Sequence, residues 1–330
     1  MRAALLLSSW DDSNSADRQI VADLVGTIYP EARELLLELT YGEDPLLGRT
    51  NDCWHIVSTV DAWLELGRYF LADDLTVFAA QAEDILRECD PKLRLPPDQQ
   101  WRAPIDGVRF RHSTSLRNGI ATTLAAISTF GENVVTGTHR HGEDWARGIV
   151  RSVFNAANLD GSCEFWSSLH LLLPLLAEAA PQEFLDAVAV GLKGPKPVLA
   201  AIFQDDKSRS LFGAHSPHTG FLWAIETVAW STQYLADAVD VLAALDRVDP
   251  GGTFSNRPFA SMEKILRPAI QGTSADFPTC LAVVDRLRKR AGHGVAGHGF
   301  DAAKPSGLDA SDPCDGISRV EARASSRPSC

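Results

Sequence analysis

The chain has 330 residues, 45% hydrophobic and 22% charged, which is the balance of a globular protein and excludes wholesale disorder; it is long enough for one large core or two medium ones. A formal charge of -12 gains no counterion-release energy from a phosphate backbone, which argues against general nucleic-acid binding. No apolar stretch reaches the roughly 18 residues that a membrane span needs.

The opening Met1 to Leu7 run is too short for a signal h-region before Trp10, Asp11 and Asp12 interrupt it. Asp17 to Val25 then places Ile20, Val21, Leu24 and Val25 on one helical face, with Ser15 or Asp17 as cap. Pro30 and Glu31 open a second helix through Leu39. Thr59 to Leu71 carries Trp63, Leu66 and Phe70 on one stripe, and Asp73-Asp74 cap a helix reaching about Cys89. Asp90-Pro91 stops it, because a residue before proline resists the helical conformation.

Residues 91 to 112 read as an irregular loop in which Val108 and Phe110 suggest one short strand. Ser113-Thr114-Ser115 supply cap candidates for a helix to Phe130, and Gly131 stops it. A His-rich loop (131 to 142) leads into a helix from Glu143 to about Ala157. Phe165 to Leu176 is apolar on nearly every side and predicts a buried helix. Further helices follow over Phe184–Leu192, Val198–Phe203, Phe221–Trp230 and Tyr234–Val248, before the turn Asp249-Pro-Gly-Gly252. Phe259–Leu266 and Ala275–Arg290 end the series. The dense basic run Arg286, Arg288, Lys289 and Arg290 closes that last helix, where cations suit the open carbonyls.

Short helices joined by Pro- or Gly-marked turns predict an all-α fold, an irregular α-solenoid of stacked helical hairpins without a fixed repeat period. The expected divisions are 1–90 (helical hairpins), 91–142 (an irregular segment with one helix), 143–290 (the main helical core) and 291–330. That last stretch is Gly-, Ala-, Ser- and Asp-rich with Phe300 as its sole aromatic. It is expected to be a disordered tail, and the sharper expectation is an extension translated out of frame.

Six cysteines, at 53, 89, 163, 280, 314 and 330, form no C-x-x-C pair; the reading is a reducing, cytoplasmic location. No serine-hydrolase elbow, P-loop or dinucleotide fingerprint occurs. His139 and His141, with Glu143 and Asp144, form one candidate metal constellation, and His215 and His218, downstream of Asp205 and Asp206, form another. The structural reading of both is stronger: a hydrated loop whose acids complement a helix dipole, and a connector capped by Thr219. No cofactor is expected. Trp223, Glu226 and Trp230 share one helical face. A carboxylate between indoles is either a desolvated acid or a structural partner of an arginine. The Asn256-Arg257-Pro258 turn supplies such a donor, so an Arg257–Glu226 bridge between hairpins is the expectation.

Several runs are familiar together: Ala4 to Asp17 (ALLLSSWDDSNSAD), Asp61-Ala-Trp63, Trp166 to Leu176, His218 to Trp230 (HTGFLWAIETVAW), Asp249-Pro-Gly-Gly, Asn256-Arg-Pro258 and Ile265 to Ser274. Over about residues 1 to 290 they resemble the long α-helical region that follows the nucleotide-binding domain in large bacterial STAND-type ATPases, some of which act in phage defence. The resemblance implies a non-catalytic recognition or scaffold region, partnered by a protein or by its own ATPase domain, and binding on the concave face of stacked hairpins. The chain departs from that plan in lacking a P-loop, and is expected to be a fragment. The alternatives are a metal-assisted hydrolase using the histidines above, and a pseudogene product with no selected function.

Overall fold

In a computed structural model, residues 1–96, 98–131, 141–203, 216–252, 254–267 and 271–294 are described, with side chains as far as Arg290. Contacts divide the chain into two units, Met1–Val284 and Asp285–Cys330. The first is overwhelmingly helical.

It begins with α1 (Arg2–Leu7), whose Ala3 to Leu7 are all buried, and β1 (Ser9–Asp11). α2 (Ser15–Val25) and α3 (Tyr29–Leu37) follow, then β2 (Leu47–Thr50) and β3 (Cys53–Ile56). The three strands form an antiparallel sheet in the order β1-β3-β2. This sheet corrects the expectation of helical hairpins alone over 1–90. Its strands are three or four residues long, too short for alternation to register against helical periodicity. The register sets Trp10 opposite Trp54, and the two indoles stack at 5.4 Å with planes 10° apart. Val108 and Phe110, expected to mark a strand, lie in irregular backbone.

α4 (Thr59–Leu66) and α5 (Ala72–Leu86) lead through 3-10 turns to α6 (Thr114–Phe130). Ser113 caps α6 as expected: its Oγ accepts from Leu116 N at 3.0 Å. On α2 the cap is Asn14 rather than Ser15 or Asp17, since its Oδ1 accepts from Ala16 N and Asp17 N. That leaves the fully buried Asp17 for a longer-range task. Its carboxylate accepts from Asp11 N at 2.9 Å, from Ser113 N at 2.9 Å and from Ser113 Oγ. One side chain thereby ties the end of β1 to the start of α6.

α6 packs against α1 and β1 on one side and against α7 (Gly142–Leu159) and α9 (Leu173–Ala179) on the other, so the core runs across residues 90 and 142. Gly119 makes the first of these approaches possible. A Cβ there would lie 2.1 Å from Leu7 O.

The apolar run expected as one buried helix is two, α8 (Glu164–Leu169) and α9, because Pro174 falls in the first turn of α9. A proline ring there would clash with the carbonyl of a preceding turn. α10 (Pro181–Gly191), a 3-10 segment at Val198–Phe203 in place of the expected short helix, α11 (His218–Ala229), α12 (Thr232–Val248) and α13 (Pro258–Leu266) complete the core. The most extensive contacts are between helices not adjacent in sequence: α9 on α11 and on α6, and α7 on α10. Phe154, Trp166, Phe184 and Phe221 form a chain of ring contacts through this part, with centroids 5.1 to 5.7 Å apart.

The last helix is α14 (Phe277–Gly294). Asp276 starts it by accepting from Thr279 N at 3.0 Å. It runs a few residues past the expected boundary at Ala291, and the expected tail from 295 onward lies outside the described residues. Within the described part of the second unit, Arg288 Nη2 is 3.7 Å from Asp285 Oδ1. Among the described residues no helix is long and apolar enough to cross a membrane.

Candidate functional site

α11 has an inner side that is sealed and an outer side that is open, and Gly220 fixes how it sits. A Cβ on Gly220 would lie 2.0 Å from His170 O, so only glycine lets the helix lie against the α8–α9 junction. The inner side holds His218, which is fully buried. Its Nε2 donates to Asn256 O at 3.0 Å, which leaves Nδ1 to accept from Ser216 Oγ. Phe203 and Phe254 lie 5.5 and 5.4 Å from the imidazole. Asn256, noted in the sequence as part of the turn that carries Arg257, contributes its backbone carbonyl here. Thr219 is not the cap: the helix starts at His218, with Pro217 before it.

On the outer side Trp223 and Trp230 are half-exposed, at 55% and 50%. The i, i+7 spacing read from the sequence brings both to one open face. Glu226 lies between them along the helix, and Ser261 Oγ (2.8 Å) and Lys264 Nζ (2.6 Å) of α13 hold its carboxylate. The expected Arg257–Glu226 bridge is not among the ion pairs of the described residues. Arg257 turns instead to Asp249 Oδ1 at 2.9 Å, because the Pro250-Gly-Gly turn brings Asp249 back beside it, while Lys264 lies within reach of Glu226. The tie between α11 and α13 exists with a different donor. Ser274 closes the end of α11, its N and Oγ donating to Trp230 O at 2.9 and 2.8 Å.

His139, His215, Asp205 and Asp206 lie outside the described residues. Of the proposed metal constellations, His141, Glu143 and Asp144 sit at the start of α7. The two acids face Arg147 (3.6 and 3.8 Å). Among the described residues no group of three or more His, Cys, Asp or Glu side chains could hold a metal ion.

Two polar clusters were not read from the sequence. In the first, Asp12 accepts from Tyr29 Oη, from Arg33 Nε at 3.2 Å and from Arg49 Nη2 at 3.3 Å. Burial would raise its carboxyl pKa, but the bonds from Tyr29 and Arg33 outweigh it and hold the group below its ordinary value. Burial and the facing carboxylate push the Tyr29 phenol up.

In the second cluster, Glu88 accepts from His112 Nδ1 and lies 3.8 Å from Arg117 Nη1. Arg117 donates to Ile85 O at 2.5 Å and stacks on Phe110 at 4.1 Å. Burial pushes its guanidinium down to about 10 against the pull of Glu88 and Asp90. The available signal was Arg117 itself, the one charged residue in the helical run from Thr114 to Phe130, which implies a carboxylate partner if it is buried.

Among the described residues, the hydroxyl bonded to an imidazole (Ser216–His218) and the carboxylate bonded to one (Glu88–His112) use different histidines, both almost fully buried. Among the described thiols, Cys163 is the buried one. Burial raises Cys163 to about 12, far from the thiolate form that a nucleophile requires.

Compared with known proteins, the chain matches no family profile, no curated protein and no solved structure.

Proposed function

We propose that this chain is a non-catalytic recognition or scaffold module, of the helical kind that accompanies the nucleotide-binding domain of STAND-type ATPases, working in the cytoplasm through a protein partner. The observation that carries the reading is the open face of α11. Two indoles stand half in solvent on a helix whose other side is packed to zero exposure, and the one carboxylate between them is already paired. Exposed tryptophans flanked by neutralised charge are the residue type that dominates protein–protein binding energy. The resemblance of residues 1 to 290 to that helical region supplies the class of partner.

The test is to read the encoding locus and co-express the chain with any P-loop protein encoded beside it. Co-purification is expected, and the double substitution Trp223→Ser, Trp230→Ser is expected to weaken it by about thirtyfold, the size of a hot-spot loss. Hydrolysis of a nucleotide by the isolated chain, or stoichiometric zinc or manganese by elemental analysis, would overturn the reading. So would the absence of any P-loop protein in or beside the locus.

A further inference from the structure

Helix α3 carries an outward stripe that nothing in the first unit covers. Ile28, just before the helix, and Glu31, Leu35 and Glu38 follow at i, i+3, i+7 and i+10, and all four are exposed. Ala32 and Leu36 face the core, and Arg33 is turned to Asp12. The stripe borders a groove of about 430 Å³ lined by Val25, Thr27, Glu31, Glu34, Leu35 and Glu38. Val25 and Leu35 are its apolar lining beside three carboxylates, and no cation lines it.

Helix α14 carries the opposite pattern. Phe277, Leu281, Val284 and Arg288 recur at i, i+4, i+7 and i+11 along one side and all are exposed. Lys289 and Arg290 extend the cationic end. In a chain with 43 acidic residues against 31 basic ones, this is the densest run of positive charge. Its apolar spacing of four and three residues suits the three-then-four spacing of Ile28, Glu31 and Leu35.

We propose that copies of this chain associate head to tail, α14 of one lying along the α3 groove of the next. Apolar residues meet apolar residues, and the cations of α14 meet Glu31, Glu34 and Glu38. Charge complementarity selects the occupant: the groove repels the acidic remainder of the surface and attracts this one helix. The two faces differ, so the contact is heterologous. The contact is independent of the α11 face and of what that face binds.

Sedimentation velocity of the full chain, over a concentration series at low and high salt, tests this directly. Mass is expected to rise with concentration at low salt and to return toward monomer at high salt. Glu31→Lys, Glu34→Lys, Glu38→Lys in one variant and Arg288→Glu, Lys289→Glu, Arg290→Glu in another should each weaken association by about tenfold or more. All six positions are exposed, and far-UV circular dichroism verifies that each variant keeps its fold. An equimolar mixture of the two variants should associate again, because each reversed face then finds its opposite. Monomer at every concentration in low salt overturns the proposal, and this is also the outcome if the groove takes a different cationic protein. Association untouched by either reversal, or a mixture that stays monomeric, overturns it as well.

Discussion

The part of the chain built around the sheet and the part built from α7 to α13 reach similar burial by different means. Around the sheet, the segments are joined by polar side chains: Asp17 to Ser113, Ser8 Oγ to Thr123 Oγ1 at 2.8 Å, and Glu88 to His112. From α7 onward the joints are mainly rings and aliphatic chains, beside ion pairs such as Arg147–Glu183 (3.0 Å) and Arg257–Asp249 (2.9 Å). The comparison teaches where each part should fail. Polar joints are specific and sensitive to protonation, whereas apolar joints are sensitive to lost volume.

The largest effect should come from the apolar side. Trp166 is fully buried, stacks on Phe154 at 5.3 Å and donates to Asn158 Oδ1 at 3.0 Å. Trp166→Ala should cost about 3–5 kcal/mol in urea unfolding; a loss near zero would mean that the ring chain carries none of the stability.

Next comes the polar side. Glu88→Gln leaves the buried Arg117 guanidinium without its anion and should cost about 3 kcal/mol. A second substitution, Arg117→Met, in that background should recover most of it, since the stranded charge is then gone. If the double variant is no better than the single one, Glu88 does not act through Arg117.

The smallest effect is a pH dependence. The Asp12 carboxyl is held below its usual value, so its contribution is present above the unfolded carboxylate pKa of about 4 and is lost as pH falls through the lower folded value. Wild-type stability should fall more steeply below about pH 4 than that of Asp12→Asn. Chemical denaturation across pH 2.5 to 6, on the order of half-unit steps, measures this, and parallel curves would remove Asp12 from the acid response.

Legibility from sequence followed the same divide. The helices of the apolar part were readable because their periodicity is local, and Ser113 and the Asp249-Pro-Gly-Gly turn were readable because caps and turns are local as well. The sheet was not, since β1 pairs with residues more than 40 positions away and the strands of the local β2–β3 hairpin are too short to show a pattern. The Trp223–Trp230 face was legible from spacing alone. The partner of Glu226 was not: whether Arg257 or Lys264 reached it depended on how the turn after α12 folds back.

The approach that Gly119 permits has a consequence for how the protein is made. α1 leaves the ribosome more than 100 residues before α6, so its five apolar residues wait for the helix whose close approach Gly119 allows. At about 5–20 residues per second this is on the order of ten seconds of exposure. α1 is therefore a natural target of nascent-chain chaperones, and synthesis stalled before residue 130 would release it without the helix that completes its cover.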